Sequence, residues 1–255
     1  MSERFSGTIA VLGLGEAGAT LATGLAARLV RVRGWDPDPA RTAEGVERVA
    51  SALQCAAQAD VVLSVNAQAA AIAAAESVLA ALAPGRLYAD LNTTSPSLKR
   101  RVAAIVVPSG AAFVDVAILG PVPATGVRTP CLVSGPGAER FAEVFRPLGM
   151  PVEIAGPDAG TASTRKLLRS IFMKGLAASV VESLAAADAA GCEDWLRGEL
   201  ATVLEGSLVE RLVDGSKLHA RRRVDELKAA AELERELGLQ PHVADAAAAT
   251  LRGLL

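Results

Sequence analysis

Histidine, cysteine and aromatic residues are scarce in this chain, and neither sign of charge dominates. Only 2 of 255 residues are His and 3 are Cys, so no clustered set of soft metal ligands appears. Cys55, Cys131 and Cys192 lie far apart, are odd in number and lack C-x-x-C spacing. That pattern argues against a disulfide framework and for inert thiols in a reducing, cytoplasmic setting. Aromatics make up 3% of the chain, too few for a platform that stacks single-stranded bases. The net charge of −2 gives no global field to attract nucleic acid or an anionic membrane. Long hydrophobic runs are missing too: Ala67–Ala75 is too short and too weakly apolar to span a bilayer. The opening residues show no apolar stretch behind a basic end, so no signal peptide is expected.

What remains is an aliphatic, alanine-rich chain with 51% hydrophobic residues, long enough to bury a sizeable core. Up to about residue 155, short apolar runs alternate with helix-like stretches. Thr8–Gly13, Val30–Asp36, Val61–Val65, Arg86–Leu91, Ala112–Ala117, Cys131–Ser134 and Val152–Ala155 read as strands. Glu16–Arg28, Ala67–Leu82, Pro96–Val106 and the stretch from Pro136 to Phe145 read as helices. This alternation predicts an α/β fold with a doubly wound, mostly parallel sheet. After Gly156 the strand signals stop. Thr161–Ala190 reads as one helix of about 45 Å at 1.5 Å per residue, ended by Gly191. Glu193–Val213 and Lys217–Leu237 read as further helices, separated by Asp214-Gly215-Ser216. Gly238 stops the latter, and Pro241 permits a short last helix. The expected organisation is therefore a sheet domain over 1–156 and a smaller all-α domain over 157–255.

The segment IAVLGLGEAG carries the most information. Gly13, Gly15 and Gly18 form a G-x-G-x-x-G triple directly after an apolar strand and at the opening of a helix. Gly13 permits the tight turn, Gly15 lets the backbone approach a pyrophosphate, and Gly18 lets the helix pack close to the strand. Backbone N–H groups at the helix start, with Leu14, Glu16 and Ala17 between the glycines, hold the phosphates. Asp36 ends the second strand about 20 residues on, where a carboxylate accepts from ribose hydroxyls and repels a 2′-phosphate. These features predict a Rossmann domain that binds NAD in preference to NADP. Arg33 and Arg41 flank Asp36 and offer a 2′-phosphate partner should it turn away. A turn without a ligand and an S-adenosylmethionine methyltransferase loop are the competing readings of the glycines.

Four segments resemble the β-hydroxyacid dehydrogenase superfamily, which includes 3-hydroxyisobutyrate and 6-phosphogluconate dehydrogenases. They are the glycine loop GLGEAG, DLNTTSP (Asp90–Pro96), DVAILGP (Asp115–Pro121) and GPDAGTASTRKLLRSIFMK (Gly156–Lys174). The resemblance implies NAD(P)-dependent hydride transfer to or from a small hydroxy acid or keto compound. It places the second segment beside the nicotinamide and the third at the substrate loop. It also places Lys166 at the catalytic lysine and Ser170 at a position usually held by asparagine. Two departures stand out. The substrate loop reads Ala-Ile-Leu-Gly-Pro in place of Pro-Val-Ser-Gly-Gly, and Ser170 reaches less far than asparagine. The short helical domain and the HARRRVDELK segment resemble a subgroup described as phosphogluconate-dehydrogenase-like NAD-binding proteins.

Lys166, Ser170 and Lys174 are spaced four apart on one helix face. A lysine takes or gives a hydroxyl proton near neutral pH when burial or neighbouring cations, here Arg165 and Arg169, lower its pKa. A solvated basic face is the plainer reading of the same spacing, and the resemblance favours catalysis at Lys166. Lys174 is a candidate for binding a substrate anion. Asn66, Asn92 and Thr93 follow strand ends, where ligands collect in open α/β sheets. Thr93 joins the catalytic candidates, and Asn66 and Asn92 join the cofactor set; N-capping of the helix at Pro96, through Thr94 or Ser95, is the structural alternative. Gly120 and Pro121 are expected to shape the substrate loop. His219 and Arg222 either meet a substrate carboxylate or phosphate or belong to a solvated face. The apolar stripe Val224, Leu227, Ala231, Leu237 suits a helical core or the seam of a homodimer. An imine reductase and a dinucleotide-sensing protein without turnover are the rival functions.

Overall fold

All five residues of β1 (Thr8–Leu12) are buried, as expected of a central strand covered on both faces. The computed structural model describes residues 5–205 and 207–255. Around β1 lie β2 (Arg31–Trp35), β3 (Glu47–Arg48), β4 (Val61–Ser64), β5 (Leu87–Asp90), β6 (Ala112–Ile118), β7 (Cys131–Ser134) and β8 (Val152–Gly156). They form one sheet in the order β3-β2-β1-β4-β5-β6-β7-β8. Every pairing is parallel except β6 with β7. The chain leaves β1 for β2 on one side and returns to β4 on the other, so a crevice opens at the carboxyl ends of β1 and β4.

Helices α1 (Glu16–Ala26), α2 (Ala52–Ala56), α3 (Ala71–Glu76), α4 (Pro96–Val106), α5 (Val122–Thr125) and α6 (Ala138–Phe145) connect the strands. Two apolar clusters hold them, one on each sheet face. Ile9, Leu21, Leu25, Leu63 and Phe141 belong to the first; Leu12, Val62, Tyr88, Val102 and Phe113 belong to the second. Phe141 is fully buried and stacks on Phe145 with ring centroids 4.2 Å apart. Phe141→Ala is expected to destabilise the protein by about 3–5 kcal/mol through the cavity it leaves. Urea unfolding followed by circular dichroism measures this, and a loss below about 1 kcal/mol would mean the site collapses around the gap.

The chain divides into two compact units, Met1–Lys166 and Leu167–Leu255. Helix α7 (Thr161–Ala189) starts in the first and supplies the spine of the second, with α8 (Glu193–Val203), α9 (Leu208–Leu218), α10 (Ala220–Glu236) and α11 (His242–Arg252) around it. By length and composition α7 satisfies the requirements of a membrane span. Here Ala177, Val180 and Leu184 pack on α9, and Ala178 packs with α10 and α11.

Several expected elements differ. Ala67–Leu82 is not one helix: it breaks into α3 flanked by two 3-10 turns, Gln68–Ala70 and Leu79–Ala81. The expected interruption at Asp214-Gly215-Ser216 lies inside α9. Ser216 Oγ donates to the Leu212 carbonyl at 2.6 Å, and Arg223 Nη1 donates to Ser216 Oγ at 2.6 Å, so polar contacts carry the helix through Gly215. The breaks fall instead between α8 and α9 and at His219, which has φ −123° and ψ 27°.

Candidate functional site

The glycine turn begins where β1 ends. Gly13 has φ +99°, a left-handed conformation open to glycine at little cost, and its N–H donates to the Trp35 carbonyl at 2.8 Å. A Cβ on Gly18 would lie 1.9 Å from the Gly13 carbonyl oxygen, so α1 approaches the strand as closely as backbone allows. Gly15 is the N-cap of α1 and makes no side-chain capping bond. The first amides of a helix have no partner inside it, and together with the helix dipole they favour an anion. A Cβ on Gly15 would meet only Arg41 Nη1, at 3.2 Å. Backbone amides and the Arg41 guanidinium are therefore what the start of α1 offers an anion.

Asp36 is buried and accepts from Leu14 N at 2.7 Å and Asp38 N at 2.9 Å. It thus clamps the glycine turn from the end of β2. Arg41 Nη1 lies 3.7 Å from Asp36 Oδ2. The other flanking arginine, Arg33, pairs with Glu47 at 3.0 Å.

A chain of polar contacts leads from this turn along the carboxyl edge of the sheet. A Cβ on Gly13 would lie 2.7 Å from Asn66 Oδ1. Asn66 N donates to Asn92 Oδ1, and both amide side chains donate to Ser64 Oγ, at 3.0 and 3.1 Å. Next to the buried Asn92, Thr93 Oγ1 accepts from Lys166 Nζ at 2.7 Å. Ser95 caps α4, accepting from Leu98 N at 3.4 Å, which leaves Thr93 outside the cap.

A family model described as the NAD binding domain of 6-phosphogluconate dehydrogenase matches residues 8–156, more than half of the 255. The chain belongs to that family. A second model, a domain of unknown function (DUF1932), matches residues 187–254. A 3-hydroxyisobutyrate dehydrogenase of Pseudomonas aeruginosa is 29% identical over 188 residues, which are 69% of this chain and 63% of that protein. The chain spans 55% to 65% of the length of the first curated relatives it matches. Among solved structures, a conserved hypothetical protein from Sinorhizobium meliloti is 31% identical, with 97% of this chain and 88% of that chain covered at a TM-score of 0.78. Two more distant structures share the fold. A Mycobacterium tuberculosis 3-hydroxyisobutyrate dehydrogenase with L-serine has 23% identity, coverage of 98% and 94%, and a TM-score of 0.82. A Streptomyces aurantiacus imine reductase has 19% identity, coverage of 96% and 93%, and a TM-score of 0.68.

Within this member of the 6-phosphogluconate dehydrogenase NAD-binding family, the first unit brings together Gly13 to Gly18, Asp36, Asn66, Asn92, Thr93 and Lys166. Gly120 and Pro121 follow β6 on a segment that packs on α1, where a Cβ on Gly24 would meet Val127. The second unit has a polar group of its own. Lys174 Nζ donates to Ser170 Oγ at 3.1 Å and lies 2.5 Å from the carboxylate of Glu226, which is buried. The Lys174 charge is thus answered within the protein. Arg222 is exposed, and His219 caps the junction of α9 and α10. Arg223 is the arginine drawn inward; desolvation, with Arg222 beside it, lowers its pKa.

The sequence reading missed a buried ionic group beneath the site: Lys99, Asp90 and Asp115, all fully buried. Desolvation raises the Asp90 pKa, with Lys99 opposing the shift. The available signal was an aspartate within each of two apolar strand runs, Asp90 in LYAD and Asp115 in AFVDVAI, which need a cation once buried. Of the thiols, Cys55 and Cys131 are buried and Cys192 is exposed, none in a disulfide. Burial pushes Cys55 and Cys131 up to about 12, far from the thiolate that reactivity requires.

Proposed function

We propose that this chain is an NAD(P)-dependent oxidoreductase that interconverts a small hydroxy acid and the corresponding keto compound. The observation that carries the reading is the 2.7 Å contact of Lys166 with Thr93, joined to the glycine turn through Asn92 and Asn66. The amides at the start of α1 hold the coenzyme diphosphate, and the bound nicotinamide supplies the hydride donor or acceptor. Oxidising a hydroxyl carbon also releases the hydroxyl proton, and Lys166 Nζ takes it; in reduction the ammonium returns it. Thr93 fixes the amine and orients the substrate oxygen. Ser170 lies one helical turn beyond Lys166 and assists, while Gly120 and Pro121 shape the substrate loop. His219 and the exposed Arg222 remain the candidates for a substrate carboxylate or phosphate, because Lys174 is already paired with Glu226. In this reading residues 1–156 are the coenzyme-binding domain, and 157–255 are a helical substrate and dimerisation domain. The exposed Phe172 and Trp195 of the helical unit, at 69% and 64%, support a partner surface. The unpaired cysteines support a reducing, cytoplasmic setting.

Turnover of NAD(P)H with parallel panels of keto acids and imines tests the activity. Consumption with keto acids supports the proposal, consumption with imines alone would make the chain an imine reductase, and binding without any turnover would make it a sensor. The buried Asp36 carboxylate beside the glycine turn supports NAD as the preferred coenzyme, since a carboxylate there accepts from ribose hydroxyls and repels a 2′-phosphate. Asp36→Ala is expected to shift the NADH:NADPH affinity ratio toward NADPH by about tenfold, or 1.4 kcal/mol. Adding Arg41→Ala is expected to cancel the gain in NADPH affinity. Fluorescence titrations of both variants measure this, and an unchanged ratio in Asp36→Ala would refute the assignment.

A further inference from the structure

We propose that Lys99 is a positioning residue for Lys166: one buried ammonium ties the turn that presents Thr93 to the helix start that presents Lys166. The inference rests on the assignment of Lys166 as the proton-transfer group. Lys99 Nζ donates to the Asp90 carbonyl at 2.7 Å and lies 3.3 Å from both Asp90 Oδ1 and Asp115 Oδ1. Each carboxylate then fixes one side of the Lys166–Thr93 contact. Asp90 Oδ1 accepts from Asn92 N at 2.9 Å, which sets the backbone immediately before Thr93. Asp115 accepts from Ser163 N at 2.9 Å and from Ser163 Oγ at 2.7 Å. Ser134 Oγ donates to Asp115 Oδ2 at 3.3 Å and accepts from Ala162 N at 3.0 Å. Two amides at the start of α7, groups without a partner inside the helix, therefore end on Asp115 and its neighbour Ser134. Lys166 follows Ser163 by less than one helical turn.

The arrangement exceeds what holding the fold requires. A lone helix start is satisfied by one exposed Ser or Asp cap, whereas here a fully buried cation spans β5 and β6 and reaches both halves of the contact. Charge-assisted hydrogen bonds in such a dry site are strong and directional. Removing the ammonium leaves two carboxylates facing one another without compensation, so Lys99→Met alone risks unfolding. The informative variant is Lys99→Met with Asp90→Asn, which keeps the group's formal charge and leaves Asp115 on α7. Ser163→Ala, which removes one hydroxyl and keeps the amide contact, is the milder companion.

Two readouts separate positioning from general stability. In trace labelling of the full chain with acetic anhydride, mass spectrometry gives the rate at Lys166 relative to the exposed Lys217. The Lys99→Met/Asp90→Asn variant is expected to raise that ratio by about tenfold, as loss of one hydrogen bond to a charged group would, and Ser163→Ala to raise it less. With a substrate found by the keto-acid panel, kcat is expected to fall by about tenfold with KM nearly unchanged. An unaltered ratio, or an equal rise at every lysine, would overturn the proposal, as would an unchanged kcat. If the wild type turns over no substrate, the functional reading fails, while the labelling ratio still decides whether Lys99 sets the Lys166 contact.

Discussion

Lys166→Ala is expected to lower kcat/KM by about a hundredfold to ten-thousandfold, the usual contribution of a positioned acid–base group, with NADH affinity retained. The expectation follows from where the amine sits. Its contact with Thr93 Oγ1 is 2.7 Å, whereas the glycine turn proposed to hold the coenzyme lies beyond Asn92 and Asn66. Removing the amine therefore takes away the proton acceptor and leaves the diphosphate cradle intact. Lys166→Arg should be nearly as inactive, because a guanidinium keeps the charge but does not release a proton in the accessible pH range. Thr93→Ala should lose less, since it disturbs the orientation of the amine and not its presence. Steady-state kinetics with the best substrate measures all three. Turnover by Lys166→Ala close to that of the wild type would remove the acid–base assignment.

Gly18→Ala is expected to weaken NADH binding by at least about a hundredfold, roughly 2.7 kcal/mol. The added methyl would lie 1.9 Å from the Gly13 carbonyl oxygen and 3.0 Å from its carbon. These are backbone atoms that cannot swing aside, so α1 must back away from β1 and carry its amides off the diphosphate. Overpacking of this kind also costs about 1–3 kcal/mol of stability. Gly15→Ala makes a useful contrast. Its methyl meets only Arg41 Nη1 at 3.2 Å, the far end of a flexible side chain, so the fold should survive while close approach of the diphosphate is hindered. Calorimetric titration with NADH measures both. Wild-type affinity in Gly18→Ala would show that the cradle does not depend on that packing.

The parts of the site legible in the sequence are those fixed by local rules. A glycine triple between an apolar strand and a helix declares its turn, because each glycine answers a steric demand within a few residues. Asp36 was legible from its distance along the chain, although its bond to Leu14 N was not. Helix α7 runs over 29 residues and ends within a residue of the expected Ala190. Lys99 was hidden because it sits in a Lys-Arg-Arg run, which reads as a solvated face. Its partners, Asp90 and Asp115, are register neighbours on two adjacent strands, and only sheet order brings them together. Asp214-Gly215-Ser216 had the composition of a break, yet Ser216 returns its hydroxyl to Leu212 and Arg223 reaches in from α10. Tertiary contacts overrode a local signal there, and the chain turned at His219.

Coenzyme binding in this chain rests on the amides at the start of α1, proposed to grip the diphosphate. Fluorescence titration of the purified chain with NADH and NADPH tests this. Saturable binding of one coenzyme per chain, tighter for NADH, is the predicted result. Absence of saturable binding for both reduced coenzymes would contradict it.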